Sequence, residues 1–202
     1  MRFIILNDDV GTAMNTYNVL NEEVKKHLDL ENLDIFYVKD DGEMFETDSL
    51  KKEYPIFVPF VFNEENENDK TEQFSKKLTS KLQKRDVILI DLALSQKERD
   101  RFREIGKIYS YSMEKDYSKE LYFAPRIIIS ILEESKDKQL DVKIIVYTAL
   151  VGPKTEEDVK LLLPKKLRSS KDILFMRTSD VMNFRRSAKV RKKIEDFLSL
   201  QM

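Results

Sequence analysis

Short apolar runs alternate along this chain with stretches in which apolar residues return every three or four positions. The runs at 2–6, 34–38, 86–90, 142–147 and 173–176 have the length of strands, and the unbroken apolar character of 86–90 suggests burial on both faces. After Gly11 and Thr12, the residues Met14, Tyr17, Leu20, Val24 and Leu28 mark a first helix. Phe74, Leu78 and Leu82 line one stripe of a lysine-rich helix over 71–84, and Phe123, Ile127 and Ile131 mark another over 122–136. A short helix around 156–163 stops near Pro164, whose ring would clash with a continuing helix. Val181, Phe184, Ala188, Ile194 and Phe197 mark a terminal helix with a basic outer face. Strands alternating with helices predict βα units wound around both faces of a mainly parallel sheet, as a single α/β domain over residues 1–202.

Two stretches exceed this alternation, at about 40–70 and 95–121. The first holds an apolar run at 56–62 that reads as an extra strand, then an acidic, Asn-rich stretch at 63–69 that reads as a solvated loop. In the second, Ser95 and Glu98 have capping-box spacing and predict a short helix. Both are expected as insertions in the domain.

Composition narrows the class. Charged residues make up 36% of the chain, yet the formal net charge is −1, without the basic bias of a strong nucleic-acid binder. The absence of cysteine excludes disulfides and thiolate metal sites and fits a reducing compartment. No apolar run has the length of a signal peptide or a membrane span, so the expected localisation is cytoplasmic. One histidine and four glycines leave no Ser-His-Asp set, zinc spacing or Gly-rich phosphate loop. The C-terminal basic residues read as the polar face of an amphipathic helix, and nucleic acid is not an expected partner.

The candidate chemistry lies where the strands end. Parallel α/β sheets gather the carboxyl ends of their strands at one edge, where ligands bind. The first run leads into Asn7-Asp8-Asp9, the third into Asp91, the fourth into Thr148-Ala149 and the fifth into Arg177. Carboxylates crowded there repel one another: two unit charges about 4 Å apart cost about 4 kcal/mol at an effective dielectric of about 20. A hard dication relieves that repulsion and prefers oxygen ligands, which points to magnesium or manganese. Asp8 and Asp9 also suit the plainer task of capping the helix that follows.

Taken in order, these motifs resemble those of response-regulator receiver domains, the phosphoryl-accepting half of two-component signalling. Aligned from Met1, Asp8 takes the receiver's metal-binding place, with Asn7 and Asp9 on either side. The run Asp86-Val87-Ile88-Leu89-Ile90-Asp91-Leu92-Ala93-Leu94 is similar to the receiver's third strand and puts Asp91 at the phosphoacceptor. Ile144-Ile145-Val146-Tyr147-Thr148-Ala149 resembles its fourth strand, a hydroxyl residue followed by a small one. Departures accompany the likeness. Arg177-Thr178 stands where receivers carry lysine and proline, Asn7 stands at the first acid, and Leu174 stands at the usual aromatic. Arginine keeps the charge but replaces a compact ammonium with a wider planar fork.

The resemblance implies a five-stranded, doubly wound parallel sheet in the order 2-1-3-4-5, as in flavodoxin-like folds. It implies magnesium held by Asp8, Asp9, Asp91 and the main-chain carbonyl of Ala93. Asp91 would attack phosphorus, with Thr148 donating a hydrogen bond and Arg177 offsetting charge. A histidine kinase or phosphotransfer protein is the implied phosphoryl donor. A downstream protein partner would read the face of the last two helices, and receivers often form homodimers through that face. The implied protein is a signalling phosphoprotein rather than an enzyme in the usual sense. The departures suit a second reading, a pseudo-receiver that keeps the fold as an interaction module without phosphotransfer. A third is a magnesium-dependent nuclease or phosphohydrolase using the same acids.

Overall fold

The protein is described by a computed structural model. The structure describes residues 1–7, 10–27, 33–38, 44–46, 67–92, 94, 124–148, 160, 163, 165–182 and 186–199. Its strands are β1 (Arg2–Leu6), β2 (Asp34–Val38), β3 (Met44–Glu46), β4 (Val87–Asp91), β5 (Lys143–Thr148) and β6 (Ile173–Arg177). They form one sheet in the order β3-β2-β1-β4-β5-β6. All neighbours run parallel except β3, which pairs antiparallel with β2. The five parallel strands therefore follow the order expected from the resemblance, a doubly wound α/β arrangement compatible with a receiver or flavodoxin-like fold.

The additional edge strand was not foreseen, because Met44-Phe45-Glu46 is too short for a periodic signal. Only residues 39–43 separate it from β2. A parallel partner needs a crossover of a dozen or more residues, so this short return runs antiparallel. The expected strand at 56–62 and the whole 95–121 insertion lie outside the described residues.

Strand alternation divides the core into two layers. Phe3, Ile5, Val87, Leu89, Ile145 and Leu174 face one side, where α1 (Val10–Asn18) and α7 (Ala188–Ser199) cover them with Ala13, Tyr17, Ile194 and Phe197. The α1 rod continues through a π-helical stretch, Val19–Val24, into α2 (Lys25–His27). Ile4, Ile88, Ile90, Ile144 and Phe175 face the other side, under α3 (Glu67–Ser80), α4 (Ala124–Lys138) and α5 (Lys165–Arg168). Every residue of β4 is buried, as its apolar run requires. Among the described residues no helix is long and apolar enough to cross a membrane.

Several boundaries move from their sequence positions. The helix expected over 71–84 spans Glu67–Ser80, so the acidic stretch read as loop ends inside it. Its last turn tightens through bonds from Lys81 N to Leu78 O and Leu82 N to Thr79 O, because the chain must turn into β4. Arg85 takes a left-handed conformation at φ 65° to complete that turn. The single terminal helix becomes two, α6 (Thr178–Met182) and α7. The break falls before Ser187, whose hydroxyl caps α7 by accepting the Val190 N–H at 3.3 Å.

Charge pairing ties the amino edge of the sheet together. The Arg2 guanidinium donates to both Asp86 oxygens, at 2.9 and 2.6 Å, and to the Lys81 carbonyl at 3.0 Å. Asp86 also accepts the Gln83 N–H at 2.7 Å, and its own carbonyl accepts the Lys143 N–H at 3.0 Å. Through its carboxylate and its main-chain carbonyl, Asp86 thus joins β1, β5 and the turn after α3 at the start of β4. Nearby, buried Lys143 donates to Asp172 at 2.7 Å beneath the Phe197 ring, anchoring α7 to the same edge.

Asp86→Ala strips the half-buried Arg2 of its partner and is expected to lower unfolding free energy by about 3 kcal/mol, read from the denaturant midpoint. Arg85→Gly removes the Cβ penalty of the left-handed turn and is expected to raise stability by up to about 1 kcal/mol in the same measurement.

Candidate functional site

The parity that sorts the apolar residues also aims the polar ones. Asn7 follows Phe3 and Ile5 on its face, Asp91 follows Val87 and Leu89, Tyr147 follows Ile145, and Tyr37 follows Ile35. All four point toward the α1 and α7 layer from the carboxyl end of the sheet. Register aligns them: Leu6 pairs with Ile90, which brings Asn7 level with Asp91, and Asp91 pairs with Tyr147. Leu92 N donates to Tyr147 O at 3.1 Å and extends the pairing of β4 and β5 beyond Asp91. Chain connections diverge between β1 and β4, where β1 leads outward to β2 and β4 leads to β5. This switch point is where doubly wound sheets open a crevice for ligands.

A compact hydrogen-bonded cluster occupies it. The Asn7 amide nitrogen donates to Asp91 Oδ2 at 3.2 Å and to the Tyr147 hydroxyl at 2.9 Å. An ionised carboxylate only accepts, which turns the nitrogen end of Asn7 toward Asp91. The Tyr37 hydroxyl donates to the main-chain carbonyl of Asn7. Asn7, Tyr37 and Tyr147 are fully buried and Asp91 is 6% exposed. A buried carboxylate without donors would be costly, and a buried tyrosine hydroxyl usually finds a partner. Asn7 answers both requirements at once.

The sequence-predicted residues divide accordingly. Asp91 lies at the expected strand end, beside Asn7. Arg177 ends β6 opposite Thr148 in register, and the residue is exposed. Its N–H donates to Asp180 Oδ2 at 3.3 Å, so the start of α6 is stitched back onto the strand end. Thr148 is described as the last residue of β5, without its side chain. Asp8, Asp9 and Ala93 lie outside the described residues, and so does any carboxylate geometry they would build. Among the described residues no three His, Cys, Asp or Glu side chains gather as a metal group.

Sequence reasoning missed Tyr37 and Tyr147. A signal was present: each is a tyrosine inside an otherwise apolar strand, so each hydroxyl had to meet a polar partner, and both lie near a carboxyl end. The partner itself was set by sheet register, which no local pattern reveals.

Tyr37→Phe leaves the buried Asn7 carbonyl without this donor and is expected to cost about 1–2 kcal/mol, seen as a lower urea midpoint at unchanged slope. Compared with known protein families, with curated proteins and with solved structures, the chain matches none.

Proposed function

We propose that the chain is a receiver-like signalling protein in which Asp91 accepts a phosphoryl group and a partner protein reads the result. The observation that carries this reading is the Asp91 carboxylate itself. It is nearly buried at the end of the central strand β4, at the switch point of the sheet, and hydrogen-bonded to Asn7 of β1's end. A carboxylate fixed in this way can attack phosphorus with little loss of conformational freedom.

Magnesium fits the chemistry of the donor set, which is all oxygen. Asp91 and the main-chain carbonyl of Ala93 would hold it together with Asp8 and Asp9, which follow Asn7 directly in the chain. When bound, the cation supplies positive charge for the transferring phosphoryl oxygens. Thr148 would donate a hydrogen bond to the phosphoryl group and Arg177 would offset its charge. The donor would be a histidine kinase or phosphotransfer protein. Output would pass through the C-terminal helical face, where Arg186, Lys189 and Lys192 are exposed and suit an acidic protein partner. The same face would serve a homodimer.

One observation favours the pseudo-receiver as a second reading. Asn7 is a neutral amide where the receiver opening carries an acid, and it already occupies one Asp91 oxygen.

Incubation with magnesium and a labelled small acyl phosphate is expected to label the wild type and leave Asp91→Asn unlabelled. Equal labelling of the two proteins would remove Asp91 as acceptor, and absence of label from both would favour the interaction module.

A further inference from the structure

We propose that Tyr147 is a positioning residue that acts through Asn7 to shorten the lifetime of a phosphoryl group on Asp91. The inference rests on the reading of Asp91 as phosphoacceptor and concerns what happens after transfer.

The geometry around Asn7 motivates it. A primary amide has two N–H groups, and Asn7 directs one to Asp91 Oδ2 and one to the Tyr147 hydroxyl. Its main chain is held separately by Tyr37. The remaining freedom is rotation of the amide, and the Tyr147 hydroxyl opposes that rotation. Tyr147 is well suited to this role because its ring is fully buried and its strand is paired to Asp91 itself. A group locked by packing holds its neighbour more tightly than one on a loop.

The consequence follows from where charge develops. In transfer, the Asp91 oxygen that Asn7 does not hold, Oδ1, bonds to phosphorus, and the bond from phosphorus to the donor breaks with its electron pair leaving on the donor. Oδ2 then becomes the carbonyl oxygen of a mixed anhydride. In hydrolysis, a water oxygen bonds to phosphorus and the Oδ1–phosphorus bond breaks. Its electron pair returns to the carboxylate, and both of the water's protons leave with the phosphate, as dihydrogen phosphate. Negative charge therefore grows on Oδ2 as hydrolysis proceeds. A hydrogen bond from the Asn7 N–H to Oδ2 is weak to the neutral carbonyl and strong to the carboxylate. Interactions stronger in the transition state than in the ground state accelerate the step. A well-aimed Asn7 thus hastens loss of the phosphoryl group, and Tyr147 supplies the aim.

The test measures decay of the label on Asp91 after excess unlabelled acyl phosphate is added. Tyr147→Phe and Asn7→Leu are each expected to lengthen the lifetime about tenfold, the low end of what a hydrogen bond to a charged group contributes. The double variant should decay no more slowly than either single one, because both remove the same interaction. Leu82→Ala, in the opposite core layer, serves as a control for lost stability and should keep the wild-type lifetime. A wild-type lifetime in Tyr147→Phe, or slowing equal to that of Leu82→Ala, overturns the role of Tyr147 while Asp91 still takes label. Additive slowing in the double variant also overturns it. Absence of Asp91-dependent label in the wild type overturns the acceptor reading, and this inference with it.

Discussion

A carboxylate withdrawn from water must be given hydrogen bonds by its surroundings, and the carboxyl edge of this sheet is organised around that requirement. Asp91 ends a strand buried on both faces, so its neighbours are other strand ends rather than solvent. One donor it receives comes from Asn7, and Asn7 is in turn held by two buried tyrosines. Each member constrains the next, so the cluster is stiff without an ion pair between its members.

The opposite edge solves its electrostatics differently. Arg2, Asp86, Lys143 and Asp172 are paired by charge-assisted bonds that join the starts of neighbouring strands. Such pairs hold register, because removing either partner strands a charge in a poorly solvated site. The sheet is thus clamped by paired charges where its strands begin and by amide and hydroxyl groups where they end. In doubly wound sheets ligands bind outside the carboxyl ends of the strands, the edge opposite the paired charges. The outer strand β6 receives a further tie, as Lys193 of α7 donates to the Phe175 carbonyl at 3.2 Å. That contact occupies a main-chain acceptor on an edge strand, where open pairing groups invite association.

Much of this architecture was legible in local pattern. The five parallel strands sit within a residue or so of their apolar runs, because burial on both faces demands continuous apolar sequence. The helix over Ala124–Lys138 follows the period of Ile127 and Ile131. Element ends were less legible. The turn before β4 depends on Arg85 adopting a left-handed conformation, and the split between α6 and α7 depends on a serine cap, neither of which disturbs hydrophobic period. The strand Met44–Glu46 exists because β2 offers it an edge, and its own residues carry too little pattern to announce it.

The chain's sequence by itself determined the alternation of strands and helices, which faces are apolar, and that Asn7, Asp91, Thr148 and Arg177 terminate strands. These are consequences of side-chain period, and period is local. Tertiary structure alone decided that Asn7 lies level with Asp91, that Tyr147 pairs with Asp91, and that Tyr37 reaches the Asn7 carbonyl. Those partnerships join residues 30 to 84 positions apart. They follow from strand order and register, which are set by packing two apolar layers against one sheet rather than by any short stretch of sequence.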